Sequence, residues 1–407
     1  MPLLLTFFSN MPQQKVIKDY IWRQLPENMA KEIVQINSGK DQEKKKLNES
    51  WSQLPPELLQ LVSAHLFCGD YTTFRAICKS WRSSSLISRP LLPLLDSPHS
   101  QTPCLMSVGN YKCRIFHPIY NNAYHMDIPE LLNATIHYSE YGWLLLSRDD
   151  CSIFFFHPFN KIKIELPSCL PFETMCFSSP PTSTNCFVIG FTFAAIEVAL
   201  IRRGEVDWTI RRVKGFSVLS GCNPVLYKGK CYCLFMSGDV GVFDLNEYLR
   251  EPNQHSLHWI LFSTGLPQHL RDSHERSYLM KANGKLLAVF EVHDCQQCVY
   301  VFSLNFFTTR TRMIWHKVCN LGNKILYTSL KGSFSESTVV KGMDNKIYLP
   351  NVLENQGNSN VFYSLKTNKY HSFFSDYSTK ISSHGKVLNN SAWIIPMLTT
   401  MDRELNW

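Results

Sequence analysis

The sequence predicts an α+β multidomain chain. A small three-helix unit comes first, then an all-β propeller counted at six blades, with five or seven also compatible with the spacing. Three observations carry this. An apolar stripe at helical spacing runs from Leu54 to Leu66. From Cys104 onward, short apolar runs alternate with Pro, Gly and Asn turn signals. Within that later region a single module, a turn followed by strands, recurs at the period of propeller blades.

The helical unit occupies 50–90. In it Leu54, Leu58, Val62 and Leu66 recur every four residues, and Leu59 and Leu61 widen the stripe. Pro55 or Pro56 falls near the first helical position, where a missing N–H costs nothing. Gly69 suits the helix end and Asp70 can cap the next start. A second short helix would carry Phe74 and Ile77, and a third would follow around Cys78–Arg82. Three short helices bury too little apolar surface to be secure alone, so some of this surface is expected to face a partner.

Before it, 1–49 reads as a leader and linker, partly disordered, ending in the polar and charged stretch 37–50. After it, Pro90, Pro93, Pro98 and Pro103 break regular structure, so 91–103 is a linker and 104–407 the β domain.

The β domain shows its repeat most clearly in three late copies. Tyr227-Lys228-Gly229-Lys230 turns into Cys231–Phe235, then Gly241–Leu245, then His258-Trp259-Ile260. Asn283-Gly284, a strong hairpin signal, turns into Leu286–Phe290, then Val299–Leu304, then Ile314-Trp315. Asp344-Asn345-Lys346 turns into Ile347–Leu349, then Val361–Leu365, then Lys369–Phe374. Equivalent third-strand positions are Ile115, Ile153, Val198, Val242, Val301 and Val361, separated by 38, 45, 44, 59 and 60 residues. A lone blade exposes its edges, whereas blades stacked radially cover one another. The strand Ala392–Pro396 could pair into the first blade and close the ring. A β-sandwich fits the alternation but not the recurring module.

The order Leu54-Pro55, Leu58-Leu59, Val62, Leu66, Asp70, Cys78-Lys79 and Trp81-Arg82 resembles an F-box. That resemblance implies docking on the Skp-type adaptor of cullin–RING ubiquitin ligases. It implies Leu54, Pro55, Leu58, Leu59, Val62 and Leu66 as the contact surface, with Cys78 and Trp81 at its third-helix end. Val62 stands where the family more often has isoleucine, and Ile77 where it often has valine. A helical cap on a larger core is the competing reading. Further on, Gly142-Trp143, Phe156-His157-Pro158-Phe159-Asn160, Phe177-Ser178-Ser179-Pro180, Val225-Leu226-Tyr227 and Ile347-Tyr348 together resemble plant F-box proteins with a KIB-type β-propeller. Ala194-Ala195 and the imperfect Arg203-Gly204 turn depart from that pattern.

Composition bounds the function. Charged residues are 18 %, the hydrophobic set 44 % and aromatics 13 %, a globular and β-rich balance. The net charge of +8 sits in short runs such as Lys44-Lys45-Lys46, Arg202-Arg203 and Arg211-Arg212, read as solvated loops and edge strands rather than a nucleic-acid footprint. The 14 cysteines form no regular framework, so free thiols in a reducing compartment, cytoplasm and/or nucleus, are expected. The sequons at Asn48, Asn133 and Asn389 would then go unused. No apolar run reaches 18 residues, so no membrane span is expected, and Leu3–Phe8 makes a poor signal peptide.

No catalytic constellation of weight is present, and neither a cofactor nor a metal is expected. Asp149-Asp150 reads as a hairpin turn and His157 as structural. Cys295 and Cys298 have the spacing of a zinc half-site without a second pair, and Cys231 and Cys233 share one strand face. The function expected is substrate recognition in a Skp–cullin–F-box E3 ligase, with cullin and RING protein reached through the adaptor. The propeller would hold an unknown target, with the spacers Glu251–Asp272 and Asp294–Arg312 as contact candidates. The alternatives are an F-box protein that masks a signalling partner without ubiquitination, and a propeller enzyme.

Overall fold

The computed structural model describes Pro56, Leu59, Lys79–Ser84, then 102–109, 112–118, 122–169, 172–192, 197–214, 219–245, 256–258, 260–292, 299–307, 312–338, 343–353, 359–372, 386–396 and Trp407. The chain divides into two compact units, one of Met1–Thr102 with Ile119–Tyr124 and Pro396–Leu398, the other holding nearly all the strands. In the first unit Pro56 and Leu59 are helical, and helix α1 spans Lys79–Ser84, ending with Arg82 in its last turn. A cation there suits the negative helix end. The expected second helix at Phe74 and Ile77 lies outside the described residues.

The second unit is a six-bladed β-propeller. Blade 1 contains β1 (Cys104–Val108), β2 (Cys113–His117) and β3 (Asn122–Met126). Blade 2 is β4 (Thr135–Glu140), β5 (Trp143–Ser147), β6 (Ile153–His157) and β7 (Ile162–Leu166). Blade 3 is β8 (Thr174–Phe177), β9 (Phe187–Phe191), β10 (Glu197–Arg202) and β11 (Thr209–Lys214). Blade 4 begins with β12 (Val225–Tyr227), β13 (Lys230–Leu234) and β14 (Val240–Asp244). The next two strands are β15 (Ser256–His258) and β16 (Ile260–Phe262). A short helix α2 (Gln268–Ser273) leads to blade 5: β17 (His274–Ala282), β18 (Lys285–Val292), β19 (Val299–Phe307) and β20 (Arg312–Val318). Blade 6 holds β21 (Lys324–Tyr327), β22 (Phe334–Ser337), β23 (Lys346–Leu353), β24 (Ser359–Ser364), β25 (Lys369–Ser372) and β26 (Lys386–Val387). Finally β27 (Ser391–Ile394) returns to pair antiparallel with β1, placing Trp393 opposite Leu105. The ring closes through this strand, as expected from the sequence.

The repeat read from the sequence maps one residue onto each blade. Ile115, Ile153, Val198, Val242, Val301 and Val361 lie on β2, β6, β10, β14, β19 and β24, and all are buried. Each blade needs one strand buried on both faces, and a β-branched residue packs well there. Aromatic rings then wedge adjacent blades together. Phe155 of blade 2 meets Phe177 of blade 3 edge-on at 5.0 Å, and Phe191 of blade 3 meets Phe243 of blade 4 at 5.9 Å.

Two features depart from the expected module. The two ends of the His258–Ile260 run join different blades. β15 runs parallel to β11 as a fifth strand of blade 3, whereas β16 closes blade 4 against β14. One short segment thus staples two blades, and a sequence run cannot show which neighbour each half will choose. In blade 6, β21 lies parallel to β23, with β22 outside it, so the inner portion of the sheet is built by a crossover and not a plain meander.

The turn between β21 and β22 docks on blade 2, where the Lys331 carbonyl accepts the Ser139 N–H at 2.9 Å. Gly332 follows at φ +108, and a Cβ there would stand 2.7 Å from the Ser139 carbonyl oxygen. The nearest atom is backbone and cannot yield as a side chain end would, and φ is left-handed, so Gly332→Ala is expected to destabilise the propeller by about 2–4 kcal/mol. A shift in the urea midpoint checks this, and an unchanged midpoint would show that the turn is free to move.

Candidate target-binding site

Of the residues expected to meet an adaptor, Leu59 and Trp81 are described. Leu59 is 0 % and Trp81 1 % exposed. Leu54, Pro55, Leu58, Val62, Leu66 and Cys78 lie outside the described residues.

In the propeller, Asp149 and Asp150 form the β5–β6 turn, where the Asp150 carboxylate accepts the Ser152 N–H at 3.0 Å. Hydrogen bonding to Ser152 holds the Asp150 pKa below its ordinary value. His157 is buried, and its Nδ1 accepts the Asn160 N–H at 3.2 Å, tying down the β6–β7 turn. The Asp149-Asp150 turn falls where the sequence places it. Cys231 and Cys233 are buried on one face of β13, and burial pushes the Cys231 thiol well up, away from reactivity. Cys295 and Cys298 lie outside the described residues. Among the described residues no group of three His, Cys, Asp or Glu side chains is arranged to hold a metal ion, and no helix is long and apolar enough to cross a membrane.

A groove of about 410 Å³ opens between blades 4 and 5. Two like hairpins set its position. Tyr227 pairs with Lys230 and Ala282 with Lys285, leaving the two-residue turns Lys228-Gly229 and Asn283-Gly284. Their φ angles are 50 and 74° in the first, 49 and 67° in the second. Left-handed pairs of this kind match strand twist, and Asn-Gly is the sequence that adopts them most readily. The turns touch: the Tyr227 hydroxyl donates to the Gly284 carbonyl. The end of β19 supplies the third side of the groove through Leu304, Asn305 and Phe306.

The groove has an aromatic interior and a cationic rim. Tyr232, on β13, is 5 % exposed, and burial raises its phenol pKa. Its ring meets Phe306 at 6.0 Å and Tyr227 at 6.2 Å. Phe306 is 43 % exposed, unusual for a phenylalanine ending a buried strand. Lys228 places Nζ 5.1 Å from the centre of the Tyr227 ring, and Lys285 is exposed at the start of β18, just after the opposite turn. No carboxylate is among the described lining residues. Such a site can hold a side chain and pair with anionic neighbours.

Sequence reasoning placed target contacts in the long spacers. Phe306 does belong to one of them, but most of the groove comes from the short turns, read only as punctuation. The available signal was the recurrence of lysine beside an aromatic or glycine at equivalent turns. The other spacer contributes β16, where Ile260 and Leu261 are 57 % and 55 % exposed on an outer strand.

Fold and motif together define the class: a β-propeller protein that carries an F-box. The KIB1-4 beta-propeller family matches residues 115–373, and the F-box domain matches 51–91. The chain belongs to the KIB1-4 beta-propeller family. An F-box/kelch-repeat protein of Arabidopsis thaliana is 28 % identical over 335 residues, covering 79 % of this chain and 88 % of the relative. An F-box protein of the same plant is 30 % identical over 214 residues, 50 % of this chain and 53 % of its own length. Another is 23 % identical over 379 residues, 88 % of this chain and 92 % of the relative.

Proposed function

We propose that this chain is the substrate-recognition subunit of a Skp–cullin–F-box E3 ubiquitin ligase. The observation that carries the reading is the union, in one chain, of an F-box at 51–91 and a closed propeller with an open aromatic groove. F-box domains as a class bind Skp-type adaptors, and the adaptor would bring cullin, RING protein and charged ubiquitin-conjugating enzyme. The propeller would hold a target protein so that one of its lysines meets the ubiquitin thioester. No bond chemistry is asked of this chain: it raises the effective concentration of the lysine. The ten described cysteines are free thiols, which fits work in the cytoplasm and/or nucleus.

Leu54, Pro55, Leu58 and Val62 would be the central adaptor anchors. Truncating one such anchor costs about 1–4 kcal/mol of binding. Leu54→Ala with Pro55→Ala is therefore expected to abolish co-purification of the Skp-type adaptor, with the near-ultraviolet circular dichroism of the propeller unchanged. Adaptor recovered at wild-type yield would refute the assignment. Ligase function further requires that target abundance fall on expression of the chain and recover on proteasome inhibition. Target levels that stay constant would mark a masking protein instead.

A further inference from the structure

We propose that the groove between blades 4 and 5 takes an acidic peptide segment bearing one large apolar side chain, and that the propeller reads its target through it. The inference rests on the receptor reading above and adds the chemistry of what is recognised.

The volume of about 410 Å³ suits one bulky side chain with its flanking backbone. Tyr232 is the buried floor, and the 43 % exposed Phe306 is a wall with one face still in water. Covering that face removes apolar area from solvent, the main favourable term in such a contact. One lysine of the lining comes from each blade. Lys228 is on the blade 4 turn and Lys285 opens β18 just after the blade 5 turn, and the Tyr227–Gly284 hydrogen bond holds these turns together. A segment laid across the groove therefore meets two cations and an aromatic centre. Carboxylates beside an apolar residue complement that lining, and the described lining residues include none to compete.

A nucleic acid strand is the other polyanion to weigh. Stacked bases need ring faces presented flat, usually with arginines along the backbone path. Here the Tyr232 and Phe306 rings meet at 74° and Tyr227 and Tyr232 at 58°, so the rings pack on one another instead of forming a platform. No arginine is among the described lining residues. The observations favour a peptide.

The test is a selection from a random peptide library on the immobilised full chain, with affinities of the enriched peptides measured by fluorescence anisotropy. Enrichment for Asp or Glu beside Trp, Phe or Leu is expected. Charge reversal in Lys228→Glu with Lys285→Glu should weaken those peptides by at least about tenfold, because like charges then face each other across a partly dry contact. Phe306→Ser should weaken them too. Both variants should retain the urea midpoint and adaptor co-purification of the wild type, so a lost target with a kept adaptor isolates the groove from the receptor reading. The proposal is overturned if no peptide enriches, if the enriched set has no acidic bias, or if the variants bind it undiminished. A labelled single-stranded oligonucleotide whose binding the charge reversal abolishes would also overturn it, in favour of nucleic acid.

Discussion

Replacing Trp393 with alanine is expected to lower the unfolding free energy of the propeller by about 3–5 kcal/mol, the usual cost of emptying a large aromatic site in a core. Trp393 is fully buried on β27, the strand that closes the ring. Its indole N–H donates to the Thr328 carbonyl at 3.1 Å, and its ring meets Tyr327 at 5.0 Å and Tyr348 at 6.0 Å, all from blade 6. Its own carbonyl accepts the Ser139 hydroxyl of blade 2 at 2.8 Å. One residue of blade 1 thus meets both neighbouring blades. Its loss leaves a cavity, an unpaired carbonyl and a weakened seam together. Urea denaturation followed by far-ultraviolet circular dichroism measures the change. Val206→Ala, at a residue 77 % exposed, is the control and should move stability by no more than about 0.5 kcal/mol. A Trp393→Ala chain as stable as this control would mean that the seam is not where the ring is held.

The second large effect is acid destabilisation through two buried histidines. His137 and His157 are 5 % and 0 % exposed, and burial holds both imidazoles down to a pKa of about 4; the Lys331 charge adds to the effect on His137. Both are neutral in the folded chain at neutral pH, whereas in the unfolded chain they take up protons near pH 6.5. The stability they contribute is therefore fully present above pH 6.5 and is lost as pH falls toward 4. Each contributes about 3 kcal/mol across that window, as an order of magnitude. The urea midpoint should fall from pH 7 to pH 4.5, most steeply below 6.5. His157→Asn keeps an acceptor for the Asn160 N–H, and His137→Gln keeps a polar group near the Ser147 hydroxyl, which the imidazole Nε2 meets at 2.7 Å. The double variant should show a flatter midpoint over the same range. A wild-type midpoint constant from pH 7 to 5 would show that neither imidazole resists protonation.

The blade count, the ring-closing strand and the F-box were all legible in the residue order. Repetition carries that information: Val242 and Val301 declare their strands because each sits at the same place after the same turn. Asn283-Gly284 named its hairpin because few other pairs adopt two left-handed residues in succession. What resisted reading were contacts between modules. Nothing in Ser256–Phe262 says that its first half will join blade 3 and its second half blade 4. Nothing near Lys331 announces a turn seated on Ser139.

The division follows from the range over which the forces act. Alternation, turn residues and helical spacing are local, and by themselves they determined that this chain carries an F-box ahead of six small sheets. The groove of Tyr227, Tyr232, Phe306, Lys228 and Lys285 draws on segments about eighty residues apart, brought together only when neighbouring blades pack. Tertiary structure alone decided that their rings and lysines would line one opening. The burial of Leu59 and Trp81 has the same character, because exposure belongs to the folded chain and not to any residue in it.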